Sequence, residues 1–329
     1  MLGRRGLDCA TRMLRAPVRP LYGLGSSSTF STKYKSNYEK QIVIYASEVA
    51  VICGVHPYRC ISDVFFSTWK RTDKAHVQQL EAQLAPSIPA TIEERVEKLI
   101  QDEPLVQELL DTPSQTTEDV KRVKTQVKEQ IEALRNLTAD EKAEITQALN
   151  STLHTQFGIA QETHALTQYE TTTQTSVEQR NAKFWSKRLG RVATADGGYR
   201  NVLVGGRIDG LTGEKVIEVK NRMTRFMTPL PKYDVYQLQT YLFLLDSTEG
   251  EIVEHLKKTA DSSKTTKVAW DPALWDENVI PYVARFSNAL AKFMDGPQEA
   301  QAAFLTLPAD GRKEIIRSLW IESPGVLNP

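Results

Sequence analysis

The chain has 329 residues, with 41 Lys/Arg against 41 Asp/Glu, 25% charged and 40% hydrophobic residues, which fits one large globular domain or two small ones. No run of about 18 apolar residues occurs, which excludes a membrane-spanning helix. Three cysteines (Cys9, Cys53, Cys60) without a C-x-x-C pair exclude a disulfide scaffold and argue against a structural zinc or iron–sulfur site.

Residues 1–32 hold five arginines (Arg4, Arg5, Arg12, Arg15, Arg19), one acid (Asp8) and a serine-rich close, Ser26-Ser27-Ser28-Thr29-Phe30-Ser31-Thr32. Arginine-rich, serine-rich and acid-poor is the composition of an organellar transit peptide, and a mitochondrial one is expected ahead of a plastid one. A basic tail without structure has the same composition. The stretch Tyr45-Ala46-Ser47-Glu48-Val49-Ala50-Val51-Ile52-Cys53-Gly54-Val55-His56-Pro57-Tyr58-Arg59 predicts a short helix capped by Ser47 and ended by Gly54. A helix start favours phosphate, and Arg59 could add a bidentate contact. A capped core helix with a surface arginine explains the same residues.

Between Ala75 and Phe157 there is no glycine, no aromatic residue before Phe157, and 15 Asp/Glu against 8 Lys/Arg. Val120, Val123, Val127, Ile131 and Leu134 recur at helical spacing. Thr138-Ala139-Asp140-Glu141 has the pattern of a capping box, and Pro86, Pro89, Pro104 and Pro113 cut the earlier part into short helices. The expectation is an acidic helical insertion in an otherwise mildly basic body.

The body reads as α/β. Asn201–Ile208 and Lys215–Lys220 predict strands around a tight turn at Thr212-Gly213-Glu214, and Val235–Leu245 predicts a buried helix. Glu251–Lys258 and Lys264–Asp271 predict a second hairpin. Val283, Phe286, Leu290 and Phe293 form a further helical stripe.

Asp209 closes the first of these strands in Gly205-Gly206-Arg207-Ile208-Asp209-Gly210-Leu211. Glu218 and Lys220 share one face of the next, while Ile217 and Val219 point to a core. A hairpin would gather Asp209, Glu218 and Lys220. Two carboxylates about 4 Å apart repel by about 4 kcal/mol at an effective dielectric of 20, and a site that keeps both ionised suits a hard divalent cation. Such a cation polarises a phosphoryl oxygen, and a neighbouring lysine orients or deprotonates a water or offsets developing charge. Alone, this D-x8-E-x-K spacing also fits a surface ion pair. Glu162 adds a third carboxylate from a helix whose Leu166 and Tyr169 share its face. Gln237 and Tyr241 project together at i and i+4, and a glutamine among Leu238, Leu242 and Phe243 needs a polar partner.

The order and spacing of Glu162, Asp209 in I-D-G-L, Glu218-Val219-Lys220 and Gln237-Leu238-Gln239-Thr240-Tyr241 resemble the PD-(D/E)XK nuclease superfamily, in particular its lambda-exonuclease and YqaJ viral-recombinase branch. The last element resembles the Q-h-x-x-Y signature of RecB-type nuclease domains, and the stretch from Ser47 to Arg59 is similar to the opening helix of YqaJ-like proteins. The resemblance covers roughly 45–69 and 157–245, and more weakly 276–293. It implies a restriction-endonuclease-like fold, a central mixed sheet flanked by helices, here with an acidic α-helical insertion. It also implies that Glu162, Asp209, Glu218 and the Val219 carbonyl ligate Mg2+ or Mn2+, and that Lys220 positions or activates the attacking water. Gln237 and Tyr241 would brace the site and the strand, and Ser47 and Arg59 would hold a terminal phosphate. Ile208 stands where many relatives have proline.

The expected organisation is a transit peptide at 1–32, an N-terminal part of the nuclease domain at 33–74, the insertion at 75–157, the nuclease core at 158–296 and a C-terminal helical tail at 297–329. The expected function is metal-dependent hydrolysis of DNA phosphodiesters by an exonuclease in the mitochondrial matrix, serving repair, recombination or turnover. DNA is expected ahead of RNA, no membrane is expected, and a homo-oligomer and a protein partner at the acidic insertion are left open. The alternatives are an inactive nuclease-fold assembly factor and an RNA-processing nuclease. Histidines 56, 76, 154, 164 and 255 have no zinc or triad spacing. The basic-aromatic run Lys183-Phe184-Trp185-Ser186-Lys187-Arg188 fits either a nucleic-acid contact or a strand edge.

Overall fold

The computed structural model describes residues 41–257 and 261–329. The expected transit peptide lies outside the described residues. Two compact units are present, and among the described residues one comprises 90–160 and the other 41–89 together with 161–329.

The smaller unit is helical: α4 (Ile92–Asp102), α5 (Pro104–Leu110), α6 (Thr117–Ala133) and the first part of α7 (Ala139–Thr173). Their N-termini follow local chemistry. Thr91 and Glu94 form a capping box, as do Thr116 with Asp119 and Thr138 with Glu141, and Pro104 starts α5. The stripe of α6 is realised, with Val120, Val123, Val127 and Ile131 all buried. On α7, Ile145, Leu149, Leu153 and Phe157 are buried at the same kind of spacing. The acidic residues stay on solvated faces, paired locally as in Lys121–Glu118 and Arg122–Asp119.

The larger unit opens with β1 (Ile42–Tyr45), α1 (Ala46–Ile52), α2 (Ile61–Thr72) and α3 (Lys74–Leu84). The insertion was expected to begin at residue 75, and here the structure corrects the boundary. Val77 and Leu80 on α3 are fully buried in the main core with Phe65 and Trp69, so the helical unit starts at Ala90. The missing glycines and aromatics marked a composition change, whereas the boundary follows where the apolar side chains go.

The strands are β2 (Phe184–Ala193), β3 (Tyr199–Arg207), β4 (Gly210–Thr212), β5 (Lys215–Asn221), β6 (Glu249–Lys257) and β7 (Asp261–Ala269). They form two mixed sheets rather than one central sheet. One has the order β1-β3-β2, with β1 parallel and β2 antiparallel to β3. The other has the order β4-β5-β6-β7, where only β5 and β6 are parallel. The first expected hairpin is therefore β4–β5, turning at Gly213 with φ +61°. Ile208 and Asp209 lie at the corner where the chain leaves one sheet and enters the other. The second hairpin forms as expected between β6 and β7.

Helix α8 (Lys232–Leu245) precedes β6. After β7 come α9 (Pro272–Leu274), a π-helical turn (Trp275–Val279), α10 (Ile280–Met294), α11 (Gln298–Thr306) and α12 (Ala309–Glu322). Val283, Phe286, Leu290 and Phe293 of α10 are buried as their spacing predicts, and Phe304, Leu305 and Ile316 place α11 and α12 in the same core rather than in a separate tail. A smaller cluster (Leu166, Tyr169, Val177, Ile217, Val219, Val253) packs the last turns of α7 against β5 and β6. Mixed sheets flanked by helices are the architecture observed. Among the described residues, no helix is long and apolar enough to cross a membrane.

Candidate active site

Glu218 is held by strand alternation. Ile217 and Val219 enter the smaller apolar cluster, so Glu218 and Lys220 face α8 on the opposite side of the sheet. Asp209 approaches from the edge, because β4 reaches only as far as Ile217 and leaves the next part of β5 without a strand on that side. The Val219 N–H, which β4 would otherwise take, donates to Asp209 Oδ2 at 2.7 Å. The N–H and C=O of one strand residue point the same way, so the Val219 carbonyl is directed to the same edge.

Two glycines make the corner possible. A Cβ at Gly210 would lie 2.2 Å from Val177 Cγ1, and one at Gly206 would lie 2.8 Å from Tyr241 Cε1. Only a residue without a side chain lets Tyr241 lie across β3 and lets the segment before β2 close on Asp209.

Glu218 is 2% exposed. Its Oε1 accepts from Lys220 Nζ at 2.7 Å, and Oε2 is buried with no hydrogen-bond partner. Lys220 Nζ also donates to Gln237 Oε1 at 2.9 Å and stands 3.6 Å from Asp234 Oδ1. Gln237 Nε2 in turn donates to Tyr241 OH at 3.3 Å. The polar partner that Gln237 requires is thus the lysine itself. Glu162 on α7 accepts a hydrogen bond from Asn181 Nδ2.

The electrostatics are those of crowded carboxylates. Burial raises the affinity of Glu162 for its proton, and the Glu218 charge adds to this. Asp209 is pushed up to about 6 by burial and then by Glu162, and Glu218 up to about 8 by burial and then by Asp209. Burial works to lower the Lys220 ammonium, yet Glu218 and Asp234 outweigh it and hold it protonated. As it stands, Lys220 is a donor and a fixed positive charge rather than a base.

Among the described residues, no group of three or more His, Cys, Asp or Glu side chains already converges as a ligand set. Each acid is turned to a protein partner: Glu162 to Asn181, Asp209 to the Val219 N–H, and one oxygen of Glu218 to Lys220. The donor chemistry nevertheless fits a hard cation. Mg2+ commonly takes only one or two carboxylates and keeps several waters. Glu218 Oε2 lacks a partner, Asp209 lies beside it, and the Val219 carbonyl faces the same edge.

Ser47 and Arg59 lie apart from this hydrogen-bonded set and meet each other. Both are exposed, and Arg59 Nη1 donates to the Ser47 carbonyl at 3.0 Å. The expected cap is corrected: Tyr45, not Ser47, is the N-cap of α1, and its N–H donates to Glu48 Oε2 at 2.9 Å. Ser47 sits inside the first turn. Gly54 follows the helix with φ +70°, as expected. Lys183 stacks its Nζ 3.8 Å from the Trp185 ring on β2, which is an edge strand.

Three residues were missed in the sequence. Asp234 is buried, one turn before Gln237 on α8, and bridges Lys220 to Arg222, whose Nη2 donates to Asp234 Oδ2 at 2.8 Å. The i, i+3 spacing to Gln237 was the available signal. Arg222 continues to the fully buried Glu254, its Nε donating to Oε1 at 2.7 Å. Asn181 has φ +49°, a conformation that asparagine tolerates, and nothing in its sequence context announces it.

No protein-family model matches the sequence, and no curated protein matches it. Among solved structures, the chain is similar to an alkaline exonuclease (LHK-Exo) from Laribacter hongkongensis, with 15% identity and a TM-score of 0.35 over 85% of this chain and 97% of that one. It is also similar to LHK-Exo in complex with dAMP, with 18% identity and a TM-score of 0.32 over 64% and 91% of the two chains. At this level of similarity, the functional reading rests on the site's own residues.

Proposed function

We propose that the chain is a metal-dependent nuclease that hydrolyses DNA phosphodiesters, acting as an exonuclease with Mg2+ or Mn2+. The observation that supports this reading is the buried Glu218 carboxylate. It keeps one oxygen without a partner, beside Asp209, while Lys220 is pinned to the other. Glu218, Asp209 and the Val219 carbonyl would hold the cation, with Glu162 joining them on release from Asn181. When bound, such a cation supplies charge to polarise a phosphoryl oxygen.

The chain's own residues do the rest. Lys220, held protonated, offsets negative charge that develops on the phosphoryl group and orients a water by donating to its oxygen. Gln237 and Asp234 fix the direction of that donor, and Tyr241 fixes Gln237. Ser47 and Arg59 are proposed to hold a terminal phosphate. A mitochondrial location is proposed on the composition of residues 1–32, and fusing that segment to a fluorescent protein tests it.

The test of the activity uses end-labelled duplex DNA, single-stranded DNA and matching RNA with Mg2+, Mn2+ or EDTA. Metal-dependent DNA cleavage that Lys220→Ala lowers on the order of 10²–10³-fold is expected, with a product ladder characteristic of end-directed digestion. Cleavage of RNA alone would move the proposal to RNA processing. Equal inertness of wild type and variant on every substrate would overturn it.

A further inference from the structure

The loop after α1 and the start of α8 bring three aromatic rings together next to the candidate site. The His56 and Tyr233 ring centroids are 4.9 Å apart, and the Tyr58 ring stands 6.1 Å from His56 and 6.2 Å from Tyr233. The loop is shaped from within, since the Tyr58 N–H donates to His56 Nδ1 at 3.3 Å. Tyr58 is nevertheless 81% exposed, the largest exposure among the large hydrophobic side chains of the described residues.

The position of the cluster identifies what covers it. Tyr233 directly precedes Asp234, which contacts Lys220. Tyr233 and Gln237 are four residues apart on α8 and share a face, and Gln237 Oε1 accepts from Lys220 Nζ at 2.9 Å. A phosphodiester placed at Lys220 therefore puts the neighbouring nucleotide within reach of these rings. Arg59 follows Tyr58 directly and is exposed, a cation beside the rings where a strand's next phosphate would run. Aromatic faces flanked by cations are the chemistry by which single strands are held without sequence preference.

Resting on the nuclease reading above, we propose that His56, Tyr58 and Tyr233 form a stacking platform for an unpaired nucleobase of the strand being cut, with Arg59 on its adjacent phosphate. A stacked base is expected to orient the scissile phosphate at Lys220 and to favour a frayed or single-stranded end over intact duplex.

The test measures binding of the full chain, in Ca2+, to a short fluorescein-labelled oligodeoxynucleotide and to its abasic counterpart by fluorescence anisotropy. Wild type is expected to bind the base-bearing strand on the order of tenfold more tightly than the abasic one. Tyr58→Ala should lose that preference and Tyr58→Phe should keep it. Tyr58 is largely exposed, so folding of both variants is expected and circular dichroism checks it. The platform is overturned if Tyr58→Ala keeps the preference, or if it weakens both strands equally. Tight binding by wild type with either of those results leaves the nuclease reading standing, whereas no binding by wild type to either strand overturns both.

Discussion

Two buried glutamates in the larger unit meet opposite fates. Glu48, 3% exposed on α1, faces Arg71 through both oxygens, at 3.0 Å from Nη1 and 2.6 Å from Nη2. Its Oε2 also accepts the Tyr45 N–H, and Arg71 Nη2 also donates to the Val43 carbonyl and Thr68 Oγ1. The guanidinium further stacks 4.1 Å from the Tyr45 ring. Glu218, equally buried on β5, has a cation on one oxygen only and a second carboxyl, that of Asp209, beside it. A buried carboxylate matched at both oxygens is a clamp that ties β1, α1 and α2 together. A carboxylate with a cation on one oxygen and a second carboxyl crowded beside it leaves a demand for positive charge, which suits a cation site.

That contrast can be broken from either side. The largest expected effect is Lys220→Ala, which should lower cleavage by on the order of 10²–10³-fold with an unchanged circular dichroism spectrum. Arg71→Met should instead lower the unfolding free energy by about 3–5 kcal/mol, because it leaves Glu48 buried and unpaired. Urea titration reads this, and the activity per folded molecule should persist. Should Arg71→Met leave stability unchanged, Glu48–Arg71 is no clamp.

Asp234→Asn is next. It removes one of the charges that keep Lys220 protonated and aimed, and a loss of roughly 10–100-fold in activity is expected, as for supporting groups around a site. Since the Lys220 pKa falls with it, the high-pH limb of the rate profile should move to lower pH. Loss of rate without such movement would make Asp234 merely structural.

The crowding of Glu218 and Asp209 also has a pH signature. In the unfolded chain both site acids titrate near about 4, whereas folding pushes Asp209 to about 6 and Glu218 to about 8. Over that window the folded state holds protons that the unfolded state has released. Their contribution to stability is therefore present at low pH and lost as pH rises through about 8. A divalent cation needs both acids deprotonated, so the rise in Tm on adding Mn2+ should be larger at pH 8 than at pH 5.5 in scanning fluorimetry. Glu218→Gln should abolish the increment, and an increment independent of pH would count against these two acids as ligands. The smallest expected effect lies in the other unit, where Thr138→Ala removes a cap of α7 and should cost about 1 kcal/mol by thermal melting.

Much of this molecule is local. Alternation placed Glu218 and Lys220 on one face and Ile217 and Val219 on the other; helical spacing placed Val120, Val123, Val127 and Ile131 inside; Thr138 and Glu141 announced a helix start. Backbone periodicity and capping need only near neighbours, so a sequence determines them without a fold. What it left undetermined depends on distant partners. Asp209 sits at the corner between two sheets and not at the end of one hairpin, because Gly206 and Gly210 admit side chains from α8 and from the segment before β2. α3 belongs to the main core although, like α4, α5 and α6, it lacks glycine, phenylalanine, tyrosine and tryptophan. Asp234, Arg222 and Asn181 become part of the site only once α8, β5 and α7 are packed. Ion pairing and burial act between groups close in space and far apart in sequence, and that closeness is what only the tertiary structure decides.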